Sequence, residues 1–183
     1  MRKSRRVGRQ WKMSDSRGVH WVMKSERGFD RKPSDRDYAT FFKCIMICAN
    51  GDGELAAAER DWVPGFCEAF GGSPELLAEL DNYKATDDIA TVLAARTPVD
   101  AAADDAGNWA RTLVFDSIRA CYADGFLSGG ERNTINAMAN QLGLSAAEVN
   151  QLEEHYLAER SLQVKRFNLL FPDKRPHTQS RKH

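Results

Sequence analysis

The chain has 183 residues and a mass of 20.5 kDa, with 26 basic and 26 acidic side chains and a formal net charge of zero. This length is enough for one globular domain with its own hydrophobic core, so folding requires no disulfide framework or structural metal. No apolar run approaches the roughly 18 residues that a membrane-spanning helix needs, which predicts a protein without a transmembrane segment. Its four cysteines form no CxxC pair, a pattern typical of a reducing, cytoplasmic setting.

Charge is distributed unevenly along the chain. Residues 1–32 carry a net charge of +8 (11 basic, 3 acidic), residues 33–164 carry −13 (9 and 22), and residues 165–183 carry +5 (6 and 1). We interpret residues 1–32 as a basic, flexible N-terminal arm, residues 33–160 as the folded domain and residues 161–183 as a basic C-terminal tail, because segments poor in periodic apolar residues bury too little surface to fold. The alternative is an adaptor whose basic arms bind nucleic acid or an anionic membrane surface.

Between the arms the apolar residues recur with helical periodicity. From Tyr38 to Ala49 they fall at i, i+3, i+4 and i+7, which predicts an amphipathic helix that begins after Pro33. Pro64 lies within the next helical pattern and predicts a kink or a late start there. The later helices are predicted over roughly 57–70, 74–83, 86–95 and 99–122, and after the capping-box pairs Ser128/Glu131 and Ser145/Glu148. The pattern predicts an all-α fold, a compact bundle of about seven helices.

The sequence contains an internal repeat. When residues 52–80 are compared with residues 124–152, 72 positions further on, 8 of 29 residues are identical, whereas average composition would give about two. The identities include Asp52-Gly53 with Asp124-Gly125. Such self-similarity predicts one three-helix unit that is used twice, with the two pseudo-symmetric copies burying their apolar faces against each other.

Each copy carries the pattern D-G-x-L-x-x-x-E, which matches the second half of an EF-hand calcium loop. The first half is not matched, so neither loop alone predicts a calcium site. One interpretation is structural: the Asp-Gly pair ends one helix and the glutamate caps the next. The other is that symmetry brings Asp52, Glu59, Asp124 and Glu131 together as one shared site for a divalent cation, calcium or zinc, which would relieve the repulsion between their carboxylates.

The segments DGELAAAE and DGFLSGGE, each after an Ala/Cys-rich helix, resemble the duplicated motif of the TerB-like tellurite resistance family over about residues 36–158. The resemblance implies a helical bundle whose acidic motifs form a negatively charged, metal-binding surface, with Asp52, Glu59, Asp124 and Glu131 at the family's acidic positions. It also implies a cytoplasmic, non-enzymatic role in tellurite and stress resistance, with a protein partner in a membrane-associated stress complex.

The remaining candidate residues give weaker signals. Cys44 and Cys48 are spaced i, i+4 on one predicted helix, and we interpret them as buried apolar residues rather than as ligands of a soft oxyanion such as tellurite. No nucleophile with a neighbouring base is recognisable, and neither is a phosphate-binding loop, which favours a protein that is not an enzyme. The four histidines are scattered and are predicted to be surface residues: His20, His155, His177 and His183.

Overall fold

A computed structural model describes residues 16–28, 35–95 and 106–173. Within these ranges every regular element is a helix, which confirms the predicted all-α fold. The described part contains eight helices: α1 (Arg17–Arg27), α2 (Asp35–Ala49), α3 (Ala57–Ala69), α4 (Pro74–Asn82), α5 (Ile89–Ala94), α6 (Ala106–Cys121), α7 (Gly129–Gln141) and α8 (Ala146–Leu170). The first part of the helix predicted over 99–122 falls on residues that lie outside the described ranges.

The duplicated unit is visible in the order and length of the helices. Helices α2, α3 and α4 correspond to α6, α7 and α8. Adding 72 to the bounds of α3 (57 and 69) gives 129 and 141, the bounds of α7. Helix α3 begins at Ala57 and continues through Pro64, so the alternative of a late start at this proline is wrong.

The core lies where the two copies meet. Helix α2 of the first copy packs against α6 of the second, and both of these helices also contact α3 and α7. The predicted apolar face of α2 is buried, and Phe41 at its edge packs edge-on against Trp109 of α6. The largest fully buried apolar side chains come from both copies: Phe42, Ile45, Met46, Val63, Leu80, Leu113, Val114, Ile118, Ile135 and Met138. Neither copy therefore has a closed core of its own.

Helix α1 lies within the segment that we predicted to be flexible. Ser16 caps its first turn, Gly28 ends it in a left-handed conformation, and Val19 and Met23 are buried. At its C-terminal end Arg27 forms an ion pair with the buried Asp116 of α6. These few apolar contacts and the ion pair attach α1 to the bundle, so residues 16–28 of the predicted arm form a packed helix. Residues 1–15 and 29–32 lie outside the described ranges.

Helix α8 extends ten residues past the predicted end of the folded domain at residue 160. Residues 161–170 continue the helix, so this part of the predicted basic tail is helical, and residues 174–183 lie outside the described ranges. The exposed large apolar side chains of the described residues are concentrated on the second half of this helix and directly after it: Leu157, Leu162, Val164, Leu169, Leu170 and Phe171. None of the helices in the described ranges has the length and apolar character required to cross a bilayer.

Candidate functional site

The two Asp-Gly turns have the same local structure. Gly53 and Gly125 adopt φ values of 91° and 110°, a region open to glycine because it lacks a Cβ atom. The carboxylate of Asp52 accepts a hydrogen bond from the Glu54 N–H (3.1 Å), and that of Asp124 accepts one from the Phe126 N–H (2.9 Å). Both aspartates are exposed. They therefore hold the turns in shape while their side chains remain in contact with solvent.

The glutamate that ends each motif caps the helix that follows the turn. Oε2 of Glu59 accepts a hydrogen bond from the Ala56 N–H (2.8 Å), and Oε2 of Glu131 accepts one from the Ser128 N–H (2.6 Å). The Ser128 hydroxyl oxygen in turn accepts a hydrogen bond from the Glu131 N–H and completes a capping box, which the methyl side chain of Ala56 cannot do. Although charged side chains are rarely buried, Glu59 and Glu131 are only 2% and 3% exposed.

These buried glutamates meet where the two copies join. A carboxylate oxygen of Glu59, one of Glu131 and Sγ of Cys121 all lie within 4.8 Å of one another. Burial, a hydrogen bond shared with Glu131 and the charges of Glu131 and Asp124 together raise the pKa of Glu59 to about 9, although the hydrogen bond from Ala56 opposes this rise. Burial likewise raises the pKa of the Cys121 thiol. A proton therefore occupies this cluster at neutral pH whenever no cation is bound there.

Close backbone packing joins the first turn to the second copy. A Cβ atom at Gly51 would lie only 2.6 Å from Cα of Glu131, and a Cβ atom at Gly130 would lie 2.7 Å from Cα of Asp52. Because side chains at these positions would collide with backbone, only glycine allows the start of α7 to approach the first Asp-Gly turn this closely. The contact places Asp52 beside Glu131.

Replacing Gly130 by alanine will destabilise the protein by about 1–3 kcal/mol, because the new methyl group overlaps backbone atoms that cannot move independently. Urea unfolding measures this change. The matched control is Gly129→Ala, one residue earlier in the same helix turn, where a Cβ atom meets nothing within 4 Å. Its free energy of unfolding should stay within about 0.5 kcal/mol of wild type. Equal losses in the two variants would contradict the close packing of the turns.

The four predicted site residues are thus distributed over a buried centre and an exposed rim. Glu59 and Glu131 are brought together at the centre, whereas Asp52 and Asp124 lie in the exposed turns and do not belong to the group of ligand atoms within 4.8 Å. Asp124 is nevertheless near enough for its charge to raise the pKa of Glu59. Cys121, the last residue of α6, was not predicted as a ligand. Its equivalent in the first copy is Ala49, so the repeat gave no signal for a thiol here.

The two turns are attached to the rest of the protein differently. In the first copy, Asn50 donates a neutral hydrogen bond from its side chain to the Ala85 carbonyl oxygen (3.2 Å). In the second copy, Arg160 of α8 donates one to the Tyr122 carbonyl oxygen (3.0 Å). The Tyr122 hydroxyl donates to Glu153, which also pairs with Arg132 through two hydrogen bonds of 2.6 and 2.7 Å. This network, which lowers the pKa of Glu153, connects the second turn to α8.

The potential metal ligands at the centre are two carboxylate oxygens and a cysteine sulfur. This set is more typical of a transition-metal site than of a calcium site. Calcium takes six to eight oxygen ligands, whereas zinc takes four ligands that include carboxylate oxygen and cysteine sulfur. Each glutamate has a second oxygen that its capping hydrogen bond does not use, and Cys121 adds a sulfur. Glu59, Glu131 and Cys121 could therefore supply three ligands to a small cation, on condition that the bound proton and the thiol proton leave.

Comparison with known proteins places the chain in a family. No family model matches it, and no curated protein does either. The crystal structure of a tellurite resistance protein from Nostoc punctiforme is similar over 87% of this chain and 96% of that chain, with 33% sequence identity and a TM-score of 0.74. At this identity and coverage, the two proteins agree in sequence as well as in helix packing. The resemblance noted from the paired acidic motifs is confirmed: the chain belongs to the TerB-like tellurite resistance family.

Proposed function

We propose that this protein is a cytoplasmic, non-enzymatic member of the family that acts in stress resistance and binds a divalent metal ion at the junction of its two copies. The observation that carries the proposal is the convergence of Glu59, Glu131 and Cys121 within 4.8 Å at a nearly solvent-free centre. Buried carboxylates that repel each other favour a cation between them. The mixed oxygen and sulfur donors favour zinc over calcium.

A metal at this position would connect the two halves of the bundle. Glu59 lies in the first turn of α3 in the first copy, whereas Cys121 and Glu131 belong to α6 and α7 of the second copy. Binding would therefore stabilise the folded state over the unfolded chain, in which the three residues are far apart. The exposed Asp52 and Asp124 would contribute negative charge at the rim and attract cations toward the site.

The chemistry of the cysteines supports a binding function over an enzymatic one. All four are buried, and none of them is in a disulfide bond. Burial raises the pKa of Cys44, and it raises the pKa of Cys48 to about 12, so the thiolates that a nucleophile requires are disfavoured. Free thiols are also typical of a reducing compartment, which supports the cytoplasmic assignment.

The exposed rim supports a second role, the binding of a protein partner. Asp52, Glu54 and Asp124 are exposed in the two turns, and Phe126 of the second turn is 68% exposed. An exposed apolar side chain in an acidic turn fits a partner surface that carries basic residues around an apolar pocket. We expect such a basic face on the partner, a protein of a membrane-associated stress complex.

Zinc is expected to raise the melting temperature of the metal-free protein, and calcium to raise it less, since stabilisation grows with the ratio of free ligand to Kd. Isothermal titration and elemental analysis of the purified protein measure stoichiometry and affinity. The double variant Glu59→Gln/Glu131→Gln should lose the effect, and Cys121→Ser should weaken it more for zinc than for calcium. Zinc affinity should increase with pH, because the proton held by Glu59 and the thiol proton of Cys121 must leave.

The matched control is Glu54→Gln, which removes one carboxylate from the exposed first turn and leaves the centre intact. It should bind zinc as the wild type does, with a slightly slower association. An equal rise in melting temperature in the wild type and in Glu59→Gln/Glu131→Gln would overturn the metal proposal. Asp52→Asn/Asp124→Asn separates the two roles: metal binding should persist in this variant, whereas capture of a basic partner should decrease.

A further inference from the structure

The C-terminal end of α8 carries a set of exposed apolar side chains that the core does not use. Leu162 is 63% exposed, Val164 45%, Leu169 83% and Leu170 62%, and Phe171 follows directly after the helix. Single exposed apolar residues are common on protein surfaces, but five of them among ten residues at one helix end indicate an interaction surface. We call residues 161–171 the α8 tip.

The apolar side chains of the α8 tip do not form one stripe. Successive residues of an α-helix are about 100° apart around its axis, so Leu169 and Leu170 point to different sides of the helix. Leu162 and Val164, two residues apart, point to nearly opposite sides. A groove on a folded protein covers one side of a helix, whereas fluid lipid can surround a helix end. The arrangement therefore fits insertion into a lipid surface better than docking into a groove.

Charge points to the same kind of surface. The α8 tip contains Lys165 and Arg166, one turn before the terminal leucines, and no acidic residue occurs between positions 160 and 172. Long basic side chains can extend past an apolar layer and leave their charges at the level of lipid headgroups. The body of the protein, residues 33–164, has a net charge of −13, so an anionic bilayer would repel it. The basic, apolar end of α8 has the charge and the exposed apolar side chains to approach such a surface.

We propose that the α8 tip is a peripheral membrane anchor: Leu169 and Leu170 insert into the interface of an anionic bilayer, and Lys165 and Arg166 bind its headgroups. Because the described helices cannot span a bilayer, the tip would lie in one leaflet. Binding by one short apolar tip is expected to be weak and reversible. Arg160, just before the tip, binds the Tyr122 carbonyl oxygen, so the anchor is structurally connected to the second Asp-Gly turn.

Flotation of the full chain with phosphatidylcholine vesicles, with and without phosphatidylglycerol, tests this proposal. The wild type should float with the anionic vesicles, and a smaller fraction of it should float with the neutral ones. Binding to the anionic vesicles should weaken as salt is added. Leu169→Gln/Leu170→Gln should reduce binding by about tenfold or more, because it removes two adjacent apolar groups that are 83% and 62% exposed at the end of the helix. Lys165→Gln/Arg166→Gln should abolish the preference for anionic lipid.

The matched control is Trp21→Gln, which replaces another exposed apolar residue (71% exposed) without changing the charge. It should bind vesicles as the wild type does, and this variant and the two double variants should keep the wild-type melting temperature. The proposal is overturned if the control loses binding as much as Leu169→Gln/Leu170→Gln, or if the wild type binds neither kind of vesicle. It is also overturned if sedimentation shows that the wild type is a dimer and that Leu169→Gln/Leu170→Gln merely converts it into a monomer. That result would mean that the tip binds a second copy of the chain.

Discussion

Replacing Arg27 by alanine will destabilise the protein by about 3 kcal/mol, since removing one partner of a buried ion pair leaves the other charge uncompensated. The Asp116 side chain is 1% exposed and that of Arg27 is 12% exposed, so solvent cannot replace the lost interaction. Arg119 also contacts Asp116, at 3.3 Å, and will recover part of the loss. Arg27 also lies over the rings of Phe66 and Phe70, so the variant loses packing as well as charge. Urea unfolding monitored by circular dichroism measures the change.

The pH dependence identifies Asp116 as the origin of this loss. Burial raises the pKa of Asp116, and the charges of Arg27 and Arg119 oppose that rise. Without Arg27 the pKa rises further, so the native variant keeps its proton over a wider pH range. The deficit of the variant therefore grows once the pH exceeds the raised pKa that Asp116 has in the wild type. The double variant Arg27→Ala/Asp116→Asn should recover stability at pH 7, whereas exposed Arg17→Ala should have no effect. A deficit that is the same at pH 4 and pH 8 would contradict this explanation.

In the presence of a chelator, the free energy of unfolding of the wild type will fall as the pH increases from about 4.5 to about 9. The native state keeps a proton on Glu59, whose pKa is raised to about 9, whereas the unfolded chain releases it near the ordinary value of 4.5. Because the native state holds more protons in this window, stability decreases with pH, at most by about 1.4 kcal/mol per unit for one proton. Glu59→Gln keeps a neutral hydrogen-bonding group and should flatten this dependence, so the variant will be more stable than the wild type at pH 8.

Glu148 provides the control for this experiment, because it closes the same kind of capping box at the start of α8 but is not paired with another carboxyl group. Hydrogen bonds from Ser145 and the charge of Arg111 lower the pKa of Glu148. Its contribution is therefore present at neutral pH and is lost on acidification. Glu148→Gln should leave the decline between pH 4.5 and pH 9 unchanged. If Glu148→Gln and Glu59→Gln have the same profile, the buried pair does not determine the pH dependence.

The repeat allowed most of the bundle to be predicted. Helices α3 and α7 begin and end at positions that differ by 72 residues, and the capping glutamates of both were recognised from local spacing. That Glu59 and Glu131 would be neighbours followed from symmetry rather than from local pattern. The aspartates were expected at the same point, but their carboxylates are engaged within their own turns. The prediction that all four bind one ion remains untested.

Neither helix α1 nor Cys121 as a possible ligand was predicted, because both depend on tertiary contacts. Only Val19 and Met23 of α1 are buried, which is too few for a strong periodic signal in a basic segment. What attaches α1 is an ion pair between Arg27 and Asp116, 89 positions apart in sequence, and single-sequence patterns carry no information about such a pair. The approach of Cys121 to the glutamates depends on how α6 packs against α3.

The replacement of Ala49 by Cys121 in the second copy shows what a covalent duplication makes possible. A twofold dimer of half-length chains carries the same residue at both equivalent positions, so its two central glutamates must have identical surroundings. In one continuous chain each half can change alone: Ala56 faces Glu59 where Ser128 faces Glu131, and a single thiol lies beside the pair. The carboxyl groups of Glu59 and Glu131 therefore have different surroundings, and a proton shared between them prefers one of the two.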